Sequence, residues 1–144
     1  MTLSQHSDAP SITSSLDAFA ALSLAALACD KTMDRDEVRI LKEQLLSRPA
    51  YAAMSDGELS EMFEGLLVDL RHCGIDAFIK VAIPLLSQRQ RETALAVATQ
   101  LLMCDGPLSS DEQHFLDGLP GLMGLDFQRS SVIVEVIALL FSDI

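Results

Sequence analysis

The sequence predicts an all-α domain, and three observations carry that prediction. Aromatics make up only 5% of the 144 residues and Trp is absent, so a hydrophobic fraction of 49% must build its core from Ala, Leu, Ile, Val and Met. That composition favours helix over strand. Seven Gly and five Pro are too few for the frequent turns of an all-β chain, and apolar residues recur at helical spacing along most of the length. The length suits a single domain with its own core.

Residues 1–13 are rich in Ser and Thr and contain Pro10, which reads as a disordered or loosely docked tail and leaves 14–144 as the folded domain. Ser14 or Ser15 can cap a first helix that runs to Ala28 or Cys29, with Asp17 well placed in its first turn. Its Leu16, Phe19, Ala20, Leu24 and Leu27 recur near helical spacing. Asp34 and Glu37 have the spacing of a capping box for a second helix, which carries Val38, Leu41, Leu45 and Leu46 and should stop before Pro49. Residues 48–53 read as a connector.

Ser55 and Glu58 form another capping-box spacing and open a third helix with Leu59, Met62, Phe63, Leu66, Leu67 and Leu70 as its stripe. Arg71 and His72 suit its C-terminus and Gly74 the position beyond it. A fourth helix from about 76 to 86 should be kinked or shortened by Pro84. A fifth, long and apolar, opens near Gln88 and ends at Met103 or Cys104. Ser109 and Glu112 cap a sixth, expected to dissolve at Gly118, Pro120 and Gly121. Asp126 caps a seventh, about 127 to 141, whose Val132, Ile133, Val136, Ile137 and Leu140 are core candidates. About seven short helices result.

Ten basic against 21 acidic residues leave a net charge of −11. Nucleic acid and anionic membrane surfaces are poor partners for such a chain, because both are bound through Lys and Arg. Cations and basic protein surfaces remain. Three cysteines and an N-terminus without a basic, then apolar, leader fit a reducing cytoplasm. No apolar run approaches the roughly 18–20 residues of a membrane span, so no membrane insertion is expected. No phosphate loop, CxxC pair, HExxH or GxSxG stands in the sequence, and no nucleophile–base set can be picked out, so a non-enzymatic role is expected.

One motif occurs twice. Residues 29–37 read Cys-Asp-Lys-Thr-Met-Asp-Arg-Asp-Glu, and 104–112 read Cys-Asp-Gly-Pro-Leu-Ser-Ser-Asp-Glu. Without a gap, Cys29 aligns with Cys104, Asp30 with Asp105, Met33 with Leu108, Asp36 with Asp111 and Glu37 with Glu112. Each copy lies between an Ala/Leu-rich run and an amphipathic one, as in two similar helical hairpins. Asp36, Glu37, Asp111 and Glu112 suit helix N-termini and need do no more than cap. Asp30 and Asp105 sit at the C-terminal ends of helices, where a negative charge opposes the macrodipole. They call for a compensating partner: a helix N-terminus, an Arg or Lys, or a bound cation. Oxygen ligands without Cys or His select a hard cation such as Ca²⁺ or Mg²⁺. The spacing is not that of the twelve-residue calcium loop. Cys29 and Cys104 read as small apolar residues at helix ends, and His6 and His114 as surface residues.

An Ala/Leu-rich helix, then Asp-Gly-x-Leu-Ser-x-x-Glu, then an amphipathic helix resembles the tellurite-resistance TerB-like family. Here the pattern stands as residues 104–112 followed by Phe115 and Leu116, and the copy at 29–37 replaces the Gly-x step with Lys31 and Thr32. The resemblance spans about Leu16 to Phe141. It implies a compact all-α domain of about seven helices with an internal pseudo-twofold. It also implies a carboxylate-lined surface for divalent cations, and a cytoplasmic, non-enzymatic role in chemical stress exercised through protein partners. The matching acidic positions are Asp30, Glu37, Asp105 and Glu112, with Asp36 and Asp111 beside them. A metal-independent module that docks a basic partner on its acidic face is the alternative.

Overall fold

A computed structural model describes residues 11–30, 35–104 and 106–143, and every regular element among them is a helix. In chain order these are α1 (Ser15–Ala28), α2 (Arg35–Leu46), α3 (Pro49–Ala52), α4 (Asp56–Ala82), a 3₁₀ turn (Ile83–Leu85), α5 (Gln88–Met103), α6 (Ser110–Met123) and α7 (Phe127–Leu139). The number matches the seven expected, but the distribution differs. The 48–53 connector winds into the single turn of α3, with Pro49 at its first position. The expected third and fourth helices follow one another without a loop as α4, divided by non-helical backbone at Gly74, where the third was expected to end.

The fold is built around α1. All ten residues 18–27 are buried, so the stripe expected on one face is in fact a helix apolar all round, the pattern of an interior helix. It packs chiefly against α4 and α5, with α2 and α6 closing the remaining sides. Its many Ala residues leave room for those neighbours to approach. Ser23 is fully buried, and its hydroxyl donates to the Phe19 carbonyl at 3.1 Å, which removes the cost of an unmet donor. Ser14 caps the helix as expected, accepting from the Asp17 N–H at 3.2 Å. Tyr51 of α3 locks onto the same end by donating its hydroxyl to the Leu16 carbonyl at 2.6 Å.

Residues 11–13 are docked. The Ser11 N–H donates to Asp69 at 2.8 Å and Ile12 is buried. Gly65 makes this approach possible, since a Cβ there would stand 2.7 Å from the Ser11 hydroxyl oxygen. Ser55–Glu58, Ser87–Gln90 and Ser109–Glu112 form complete capping boxes. Asp126 caps α7. The Asp34–Glu37 box lies outside the described residues.

Gly74 interrupts α4 with φ 80° and ψ 167°, a conformation essentially confined to Gly. The kink swings the segment carrying Phe78, Ile79 and Ala82 into the core. The expected break in α6 does not occur. Gly118, Pro120 and Gly121 all remain helical, and the helix ends at Gly124 with φ 67°. There the Leu125 N–H donates to the Pro120 carbonyl and the Gly124 N–H to that of Gly121, a Schellman closure. Pro120 falls in the last turn, where little helix follows to be lost. Burial of Leu116, Leu119 and Met123 outweighs the roughly 1 kcal/mol propensity cost of each Gly.

The last helix departs furthest from expectation. α7 packs against α5 and, more lightly, α6. Ile133, Val134 and Ile137 are half-buried, whereas Val132, Val136 and Leu140 are exposed rather than core. Leu139 is 68% exposed beside them. Among the described residues no helix is long and apolar enough to cross a membrane.

Candidate functional site

Cys29 is the C-cap of α1 and Cys104 the C-cap of α5, with nearly equal dihedrals of −66°, −23° and −68°, −20°. Asp30 follows in the turn, half-buried. The expectation that the motif aspartates stand just past helix C-termini therefore holds for Asp30. Asp105 lies outside the described residues. Its neighbour Gly106 adopts φ 122°, which only Gly tolerates easily, so that turn depends on its glycine.

The remaining four carboxylates divide. Glu112 is committed to its own helix start: it accepts from the Ser109 N–H at 2.8 Å, while its own N–H donates to the Ser109 hydroxyl at 3.1 Å. The capping role expected for it is real. Asp111 is exposed in the same first turn. Asp36 and Glu37 occupy the first turn of α2. Asp36 is 82% exposed and lies 3.7 Å from Arg39, a pair worth little in water.

The structure joins the first turn to the second. The Cys29 thiol is pushed up to about 12, first by burial, then by the negative charges of Asp30, Glu112 and Asp111. Cys29 of the first copy and Asp111 of the second line one cleft, so the two copies of the motif meet at the end of α1. A thiol so placed stays protonated at neutral pH and is a poor nucleophile or soft-metal ligand. Cys73 is also raised, by burial and then Asp69, and its thiol donates to the Asp69 carbonyl at 3.0 Å. Among the described residues no three His, Cys, Asp or Glu side chains form a group that could hold a metal ion.

A cleft of about 240 Å³ opens beside this cluster. Ile75, Ile79, Phe115 and Leu119 make its apolar floor, Asp76 stands on the α4 bank, and Asp111 and His114 stand on the α6 bank. The Gly74 kink presents the α4 bank, since Ile75 and Asp76 begin the segment that follows it. Asp76 and Asp111 are exposed, while Ile79 and Leu119 are buried. An apolar trough with a carboxylate on each side suits a Lys or Arg side chain, whose methylene stem seeks apolar cover while its head seeks charge. Asp76 escaped the sequence reading because it belongs to no motif. The glycine two residues before it was the only signal that the chain turns there. His114 is exposed as expected, yet it borders the cleft.

No family model matches the chain, and no curated protein and no solved structure matches it either.

Proposed function

We propose that this chain is a non-enzymatic, TerB-like interaction domain of the cytoplasm that docks a basic protein partner at the acidic end of α1. The observation that carries this reading is the cleft between α4 and α6, where Asp76 and Asp111 flank an apolar floor and Asp30 and Glu112 add charge nearby. A net charge of −11 gives such a site long reach for positive partners and makes the encounter faster at low salt. The test is anisotropy of a labelled Lys/Arg-rich peptide. Binding should weaken with salt, ignore chelator, and fall at least tenfold in Asp76→Asn/Asp111→Asn. Equal binding by that variant would remove the cleft from the account.

A second reading keeps the divalent cation. It rests on the doubled acidic motif, whose second copy carries Gly106 at φ 122°. Asp30, Asp36, Glu37, Asp105, Asp111 and Glu112 are its candidate ligands, for Ca²⁺ or Mg²⁺. Melting temperature followed against Ca²⁺, Mg²⁺ and Mn²⁺ checks it. A rise at millimolar metal that disappears in Asp30→Ala/Asp105→Ala supports this reading, and no rise with any of the three ends it.

A further inference from the structure

α7 carries Gln128, Arg129, Ser130, Ser131 and Glu135 among its thirteen residues, yet its aliphatic side chains are covered on only one face. Ile133 and Val134 pack against the core, and Ile137 is half-buried. Val132, Val136, Leu139 and Leu140 recur at helical spacing along another face and are 53%, 54%, 68% and 66% exposed. An apolar stripe left exposed in this way marks an interaction surface. Residues 1–10, the longest stretch outside the described fold, offer only Met1, Leu3, Ala9 and Pro10 as apolar cover.

We infer that a second copy of this chain covers that face, through antiparallel packing of α7 on α7 about a twofold axis at Val136. Charge is the first reason. The chain carries −11 overall, but residues 127–144 hold one Arg (Arg129), one Glu (Glu135) and one Asp (Asp143), which is only −1. Glu92 of α5 pairs with Arg129 beside this helix, so the face adds little repulsion between two acidic molecules and offers a basic partner little to gain. Self-complementarity is the second. Pairing centred on Val136 sets Val132 opposite Leu140 and opposes the two helix dipoles. Area is the third. The four side chains expose roughly 400 Å² of apolar surface. Exposed Gln128, Arg129, Glu135 and Asp143 around them extend the face toward the roughly 800 Å² per partner of a stable interface.

The decisive experiment is the mass of the full chain by light scattering from micromolar to millimolar concentration. The expected result is a rise to twice the monomer mass, abolished in Val136→Lys/Leu139→Lys while the helical circular dichroism of dilute protein is unchanged. A wild type that stays monomeric throughout, or a variant that dimerises as well as wild type, overturns the inference. Should the lysine variant fail to fold, single cysteines in a Cys29→Ser/Cys73→Ser/Cys104→Ser background decide the matter. Val136→Cys lies on the axis and should cross-link rapidly on mild oxidation. Gln128→Cys should not, because its two copies stand about 24 Å apart along the paired helices. Equal cross-linking of both, or of neither, contradicts the arrangement.

Discussion

α1 and α7 are both rich in aliphatic residues and meet opposite fates. α1 is apolar all round beyond its first turn, whereas α7 mixes Gln128, Arg129, Ser130, Ser131 and Glu135 with its aliphatic residues. α1 buries ten consecutive residues, whereas α7 fully buries only Ser130 and leaves four large aliphatic side chains in water. Hydropathy alone does not explain so large a difference. Position does: α1 has neighbours on four sides, while α7 lies at the margin, against α5 and the edge of α6. The exposed aliphatic stripe of α7 is the basis for inferring that a second copy of the chain covers it.

Truncation should expose the difference most sharply. Leu24→Ala in α1 removes a fully buried side chain and should cost about 3–5 kcal/mol in urea unfolding. Val136→Ala in α7, measured on dilute protein, should cost less than about 1 kcal/mol. Equal costs would mean that α7 is buried in the monomer. Next in size is Gly74→Ala. An added Cβ meets nothing within 4 Å, so the whole penalty is backbone strain, about 1–3 kcal/mol, read as a lower melting temperature. No loss would show that the kink presenting Ile75 and Asp76 beside α1 relaxes freely. Ser109→Ala should then cost about 1 kcal/mol by deleting one capping box. It should also loosen the first turn of α6 that holds Asp111 and Glu112 near Cys29, seen as faster amide exchange there.

The smallest effect concerns the end of α1. The Cys29 thiol is raised from its ordinary 9.0 to about 12, so folding favours the protonated form. Its contribution to stability is complete below pH 9 and is lost as pH rises toward 12. Alkylation of Cys29, followed by mass spectrometry against pH, should be slow at neutral pH. It should quicken slightly in Asp111→Asn/Glu112→Gln, because burial is the larger cause and charge the lesser. No change in that variant would place the α6 carboxylates too far away to act on Cys29.

Much of this architecture was legible in the sequence. Caps are local, so Ser14, Ser55, Ser109 and Asp126 marked their helix starts correctly. Pro49 and Gly74 marked changes of direction because their constraints are intrinsic to the backbone. Gly118, Pro120 and Gly121 misled, since tertiary burial of Leu116, Leu119 and Met123 overrides weak local propensity. Val132, Val136 and Leu140 misled for another reason: periodicity shows that a face is apolar, not whether this copy of the chain covers it. The doubled acidic motif marked two turns that lie near one another, for Cys29 and Asp111 line the same cleft. It could not reveal Asp76, Ile75 or Ile79, which come from a segment remote in sequence from both copies of the motif.

Hydrogen exchange at two protein concentrations tests the contrast between α1 and α7 most directly. Amides of α1 should be equally protected in dilute and concentrated protein. Amides of α7 should exchange quickly when dilute and become protected as concentration rises, with Val136→Lys/Leu139→Lys holding them at the dilute rate. Protection of α7 that does not change with concentration would contradict the claim that a second copy completes this helix.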